Sequence, residues 1–170
     1  GAIWVAPEGT SLPSDATTAL GSAFTLLGFT SDAGVQLSET ASTEALRAWE
    51  GRVEVYNVQT EYTEQVSFMP IQCNADVAKL TWGSAYVEVD GVTGAIHSKH
   101  HGGTLDPVAI VIETTPRTGI VKRYCGKFQL TERGEQTMDG ATVEGRNLTF
   151  NAIADSNGVT MHEYTAFVTG

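Results

Sequence analysis

The feature that most constrains the fold is the segment YNVQTEYTEQVSF, residues 56–68, in which side chains alternate in character. One set of alternate positions carries the apolar residues Tyr56, Val58, Tyr62, Val66 and Phe68. The other set is entirely polar: Asn57, Gln59, Glu61, Thr63, Gln65 and Ser67. A period of two predicts a β-strand with one packed face and one hydrated face. No glycine or proline interrupts it, so it predicts one continuous strand of roughly 43 Å, longer than the usual ~3–10 residues.

Most of the remaining chain also has the pattern of short strands separated by turns. Residues 8–24 are rich in Ser, Thr, Gly and Pro and predict a loop. One helix is indicated, with Asn74 as N-cap, Asp76 in the first turn and Gly83 just past the end. The residues therefore predict a single domain, 1–170, that is mainly β and antiparallel with one short α-helix. The predicted strands include residues 1–7, 107–114, 118–132, 141–155 and 158–168.

Two segments leave alternatives open. Residues 40–52 form either a helical turn around Glu44 to Trp49, closed by Gly51, or an extended loop. Residues 84–107 form either a short hairpin or an exposed excursion, with turns at Asp90–Gly91 and Gly102–Gly103.

Composition excludes several functions. The net charge of −10 leaves few cations to hold nucleic-acid phosphates. No apolar run approaches the ~18 residues of a membrane span, and no secretion signal is indicated. Cys73 and Cys125 are isolated in sequence, so we expect two buried free thiols, although a disulfide between them stays open.

Catalytic and metal-binding motifs are not indicated. The segment HSKHH contains His97, His100 and His101 but lies between glycines with no further ligands at zinc spacing, so we interpret it as a solvated loop. Lys122, Arg123 and Lys127 are expected to pair with acidic residues of this domain or of a neighbour. No nucleophile or phosphate-loop motif is present, so we expect neither an enzyme nor a cofactor.

Several motifs, taken in order along the chain, carry a family resemblance. They are the opening GAIWVAPEGTSLPSDATTALGSAFTLLGFTSDAGVQ, then ALRAWEGRVEV, NADVAKLTWG and GKFQLTERGEQTMDG. Together they resemble the major tail tube proteins of long, non-contractile phage tails, particularly those of actinobacteriophages. Ala33 stands where that family often has Asp or Asn.

The resemblance implies a β-sandwich or half-barrel flanked by a helix. It also implies hexameric rings that stack into a hollow tube for DNA passage during ejection. The tape-measure protein and DNA would occupy the bore without sequence-specific binding, and tail terminator and tail-tip proteins would bind its ends. The implied location is the virion tail, assembled in the host cytoplasm, with no membrane anchor.

Within such a tube, long strands of neighbouring copies close into one sheet. The apolar side of residues 56–68 is then expected on the subunit's own core. The polar side becomes the candidate lining of the bore: Asn57, Gln59, Glu61, Thr63 and Gln65. For contacts between copies the main candidate is residues 38–52, in particular Leu46, Arg47, Trp49 and Glu50. The loop 90–104 and the N-terminal strand are further candidates.

Without the resemblance, plain solvent exposure explains the polar side equally, because antiparallel sheets often keep one wet face. The alternative functions are a monomeric β-sandwich binding module or another virion structural protein. Trp4, Trp49 and Trp82 are too dispersed in sequence to indicate the aromatic platform of a binding module.

Overall fold

A computed structural model describes residues 1–115, 119–136, 138 and 144–167. The predicted mainly β, antiparallel fold with one flanking α-helix is confirmed, and it is consistent with a β-sandwich or half-barrel. The strands are β1 (Ala2–Pro7), β2 (Thr25–Leu26), β3 (Thr30–Arg47), β4 (Glu54–Pro70), β5 (Val87–Val89), β6 (Ile96–Ser98), β7 (Val108–Thr114), β8 (Ile120–Gln136), β9 (Arg146–Ile153) and β10 (Met161–Phe167). The α-helix is α1 (Ala75–Trp82), followed by a 3₁₀ turn (Ser84–Tyr86).

Eight strands form one antiparallel sheet in the order β2-β1-β7-β8-β9-β4-β3. The eighth strand, β10, pairs with β8 and lies end to end with β9. Adjacent residues of β8 pair with the two strands: Lys127 pairs with Ile153 of β9, and Gly126 pairs with Met161 of β10. Strands β5 and β6 make a separate hairpin, as one of the two alternatives for residues 84–107 predicted. Among the described residues no strand pairs with the outer edge of β3, so this edge is open.

The two faces of the sheet are covered by different segments. One face, which we call the helix face, carries α1 and the larger apolar core, which includes Val66, Phe68, Phe128 and Phe150. The opposite face, which we call the loop face, is covered over β1, β7 and β8 by residues 8–24 and a smaller core around Val111. In the described part of the chain, the smaller core and the segment over it do not reach the loop face of β3, β4 and β9.

Helix α1 is fixed at both ends by the residues that the sequence indicated. Asn74 Oδ1 accepts a hydrogen bond from Val77 N (2.7 Å), and Asn74 Nδ2 donates to Leu27 O (2.9 Å). At the other end Gly83 has φ 91° and donates its N–H to Lys79 O, a left-handed conformation that glycine adopts most easily. The helix is held against the sheet both by Leu80, which is buried in the core, and by the hydrogen bond from Asn74 to Leu27.

Residues 40–52 form neither a helical turn nor an extended loop. Strand β3 continues to Arg47 and pairs with β4 in antiparallel register, and only Ala48–Val53 make the turn. Gly51 and Arg52 have positive φ, which lets the chain reverse within that short span. Cross-strand pairing thus overrides a local pattern that also suits a helix. Residues 141–143 and 168, placed in strands by the sequence, lie outside the described residues.

Candidate functional site

The outer part of the β3–β4 hairpin, residues 40–63, is the most exposed region of the sheet, and we call it the arm. Every residue from Gln36 to Tyr62 is exposed except Ala45 and Ala48, which are half-buried. Strand β4 pairs with β9 only between Gln65 and Phe68, so among the described strands the backbone of the arm pairs only within the arm. At ~3.3 Å per residue the seventeen residues of β4 span about 56 Å, as one continuous strand.

The expected packed side of β4 is correct only at its base. Val66 and Phe68 are fully buried, and the rings of Phe68 and Phe150 stack at 5.4 Å. Tyr56, Val58 and Tyr62, predicted to sit on the same core, are instead exposed, Tyr56 to 66%. The reason is that the core ends where β4 leaves β9. Because β4 extends beyond the core, the apolar residues of its outer part have no core of their own subunit to pack on.

A β-bulge at Thr60 divides the predicted polar row. Glu61 pairs with Ser42, whereas Gln59 pairs with the next residue of β3, Thr43. Adjacent residues of β3 point to opposite faces, and paired residues share a face, so the two sides of β4 exchange at the bulge. Thr60 donates its hydroxyl to Ser42 O (3.2 Å), which stabilises the irregularity.

The predicted lining residues are therefore not all brought together. Glu61, Thr63 and Gln65 lie on the loop face, while Asn57 and Gln59 lie on the helix face of the arm. Beyond the bulge, Tyr56 and Val58 lie on the loop face of the arm, although the alternation alone placed them on the core side. Their cross-strand neighbour Leu46 lies on the same face.

At the base of the hairpin the loop face forms a continuous polar surface, which we call the polar patch. Its pairing rows run across four strands: Ser38, Gln65, Asn151 and Gln129 in one row, and Gln36, Ser67, Thr149 and Glu132 in the next. Gln65 Nε2 donates to Asn151 Oδ1 (2.9 Å), and Thr131 Oγ1 donates to Thr149 O (3.1 Å). Glu132 is the one charged member of these two rows, so the patch presents a hydrated wall with no cation to bind phosphate.

Most members of the polar patch were not identified from the sequence. A signal existed in strand β9, where Asn147, Thr149 and Asn151 alternate with the buried Leu148 and Phe150. Strand β3 gave little signal, because its two sides are both rich in Ser, Thr and Ala. Its partnership with β4 is a long-range property that the periodicity of one strand does not contain.

The residues predicted to contact other copies lie at the end of the arm. Trp49 is 95% exposed in the turn between the strands, and Leu46 is exposed on the loop face beside Tyr56. Arg47 and Glu50 are also exposed, and neither forms an ion pair with a described residue. Large exposed apolar side chains in one small area mark a surface that another molecule covers.

A buried carboxylate, Glu64, lies where β4 parts from β9. Glu64 is 5% exposed and accepts a hydrogen bond from the hydroxyl of Thr160, which precedes β10. Its cross-strand neighbour is Glu39. Loss of solvation, followed by the nearby charges of Glu64 and Glu39, raises the pKa of Tyr62 above its ordinary value. The hydrogen bond from Thr160 to Glu64 therefore connects β4 to the residue that precedes β10.

The three basic residues of β8 pair within the domain, one of the two alternatives that the sequence left open. Lys122 bonds Glu163 (2.8 Å), Lys127 pairs with Glu8, and Arg123 Nη2 bonds Glu113 (2.6 Å). The hydrogen bond from Lys122 lowers the pKa of Glu163, and the same bond raises that of Lys122.

Arg123 is buried and also donates to the carbonyl oxygens of Asp15 (2.8 Å) and Thr18 (2.9 Å). Its guanidinium therefore holds residues 8–24 against the loop face. A charge so engaged is structural and offers nothing to nucleic acid.

The histidine-rich segment is solvated in part, as its sequence indicated: His97, which lies on β6, and His100 are exposed, whereas His101 is half-buried. His100 stacks on Trp82 (3.6 Å between ring centroids), and His101 stacks on Tyr86 (3.7 Å). The N–H of Gly103 donates to His101 Nδ1 (3.0 Å), while His101 Nε2 lies 3.1 Å from Trp82 O. The imidazoles thus pack over the end of α1. In the part of the chain that is described, no group of three metal-ligating side chains comes together.

The cysteines differ from each other. Both are free, and Cys125 is buried as expected, whereas Cys73 is exposed and the expectation for it was wrong. It lies in the link between β4 and α1, outside the core. Burial raises the pKa of the Cys125 thiol to about 11, so it stays protonated at neutral pH.

No helix among the described residues is long and apolar enough to cross a membrane.

Comparison with known families gives one match that covers nearly the whole chain. A family model described as phage tail tube protein matches residues 1–165. A comparison with curated proteins found no similar sequence. The match includes the arm, the polar patch and α1.

Proposed function

The chain belongs to the phage tail tube protein family, and from this premise we propose that its copies close into rings and stack into a tube whose bore is lined by the polar patch. Membership places the protein in the virion tail as a structural subunit of a multi-subunit tube. Hexameric order and passage of DNA belong to the proposal, as do contacts with the tape-measure, terminator and tip proteins. The proposal includes no catalytic activity.

The observation that carries the proposal is the polar patch itself. It is a polar surface of Ser, Thr, Gln and Asn side chains with Glu132, continuous over four strands and without a cation, on a part of the sheet face that no described segment covers. A wall without cations releases no counterions on contact with DNA, so a passing duplex is not held. Of the residues first predicted to line the bore, the proposal keeps Glu61, Thr63 and Gln65 and drops Asn57 and Gln59.

Closure of the ring is supported by the open edge of β3. A strand of eighteen residues with one unpaired edge is a site where another chain adds by backbone hydrogen bonding. When the edge of β3 pairs with a strand of a neighbouring copy, no unpaired edge remains there, and the polar patch extends around a bore. Stacking is supported by the apolar residues of the arm beyond Thr60, which we assign to contacts between copies.

Electron microscopy of the purified chain, dilute and then concentrated, tests the proposal. Rings or tubes with a central bore are the expected result. Monodisperse monomers over the whole range would contradict assembly by the chain itself.

The lining is tested separately in tubes of two cysteine variants, each also carrying Cys73→Ser. Gln65→Cys lies on the polar patch, and Glu88→Cys lies exposed on the β5–β6 hairpin beside α1. We expect a bulky gold–maleimide label to appear in the bore for Gln65→Cys and on the outer surface for Glu88→Cys. The reverse pattern would place the helix face inside and overturn the lining.

A further inference from the structure

The described residues contain a large cleft on the helix face that the ring and bore do not use. It has a volume of about 790 Å³ and opens between α1, the segment 101–107 and the ends of β1 and β7. Apolar side chains form part of its wall: Leu80, Leu105, Leu130 and Phe150. Three carboxylates, Glu8, Asp76 and Asp106, also line it.

We propose that this cleft receives the turn of the arm, with Trp49 as its anchor, from another copy of the chain in the next ring. This inference rests on the proposed function and identifies the partner surface of the arm. The indole of Trp49 is 95% exposed, and an aromatic anchor that enters a pocket is the usual centre of a stable interface. The cleft is roomy enough to take the side chain together with part of the turn.

Charge also matches the two surfaces. The turn carries Arg47 and Arg52 on either side of Trp49 with one carboxylate, Glu50, so its cations outnumber its anions. Neither arginine forms an ion pair with a described residue. In the cleft the three carboxylates outnumber the one lysine, Lys79, and Asp76 and Asp106 form no ion pair with a described residue. Opposite charges at the rim orient an approaching partner and disfavour a wrong one.

The contact must join different copies, because a chain cannot bring its own turn to its own cleft. Phe150 in the cleft wall pairs with Val66, and Glu54 at the start of β4 lies twelve residues away on the same extended strand. At ~3.3 Å per residue the separation is about 40 Å.

Two different surfaces at opposite ends of a subunit make a heterologous contact. Such a contact repeats without closing when the copies are stacked along an axis. It therefore also limits the axial step from one ring to the next to on the order of 40 Å.

Disulfide trapping between separately purified variants tests the inference. One chain carries Glu50→Cys, which leaves the neighbouring Trp49 in place, the other carries Ser84→Cys in the cleft wall, and both carry Cys73→Ser. Mixed under assembling conditions and oxidised, they are expected to give the mixed dimer roughly ten-fold faster than a control pair, because the contact raises the local concentration to the mM range. The control pair is Glu50→Cys with Ser14→Cys, which lies in the segment that covers the loop face.

Each outcome has one meaning. Tubes without the mixed dimer, or with Glu50→Cys joined mainly to itself, would overturn the cleft as receptor and leave the tube proposal standing. An axial step well above 40 Å in those tubes would overturn it too. Failure of the wild-type chain to assemble would instead count against the proposed function. Val92→Ala, at a site also 95% exposed, provides a surface control that should assemble normally, whereas Trp49→Ala should not.

Discussion

The base and the outer part of strand β4 share one alternating sequence pattern and have opposite environments. At the base Val66 and Phe68 are fully buried against the sheet's own core. In the arm Tyr56 is 66% exposed and Tyr62 46% exposed. Alternation therefore shows which side chains are selected for burial but not which molecule buries them. We propose that in this subunit part of the burial takes place only between copies.

The largest expected effect separates the two regions by stability. Phe150→Ala removes a ring that stacks on Phe68 in the core, so it should lower the free energy of unfolding by about 3–5 kcal/mol. Tyr56→Ala should change it by about 0.5 kcal/mol or less, as for most exposed positions. Urea unfolding of the unassembled chain measures both. Equal losses would show that the arm packs within its own chain.

The difference between base and arm also shows which features of the fold can be predicted from the sequence and which cannot. The strand at 56–68, the helix with its caps at Asn74 and Gly83, and the antiparallel β class follow from local periodicity and turn chemistry. The bulge at Thr60 does not, because it depends on how β3 and β4 match each other over many residues. The burial limit at Glu64 depends on where β4 parts from β9, which is again a property of the folded sheet. The exposure of Tyr56 and Val58 could not be read from the strand alone.

A second, smaller effect compares the polar contacts of the two regions. Asn74→Ala removes the cap of α1 and the bond to Leu27, and should cost about 1 kcal/mol, within a range of roughly 0.5–2. Asn74→Asp keeps an oxygen for the cap and should recover most of this loss. Thr60→Ala removes an exposed hydroxyl contact of the arm and should change the stability of the unassembled chain by less than about 0.5 kcal/mol. A larger cost for Thr60→Ala than for Asn74→Ala would reverse the ranking.

The smallest effect concerns acid stability of the segment that covers the base. Hydrogen bonds from the Thr18 side chain and then from the backbone N–H groups of Thr18 and Thr17 lower the pKa of Asp15 from 3.8 to about 2. Because the pKa is lower in the folded state, this contribution is fully present above pH 3.8 and is lost as the pH falls through about 2.

Unfolding measured between pH 5 and pH 2 checks this prediction, within the window that the two pKa values define. Asp15→Asn should lose a small part of the acid dependence in that window, and the neighbouring Ser14→Ala should keep it. An unchanged pH profile in Asp15→Asn would show that the carboxylate does not contribute. No described segment covers the arm in this way, so we expect this acid dependence to come from the base and not from the arm.

Hydrogen–deuterium exchange of the free chain and of assembled tubes tests the central claim most directly. The amides of residues 43–58 should exchange rapidly in the free chain and become strongly protected in the tube, since neighbouring copies then cover the arm. The amides of residues 65–68 and 148–151, already paired in the base, should change little. If the arm exchanges as rapidly in tubes as in the free chain, its apolar residues are not buried by assembly, and the long strand does not serve contacts between copies.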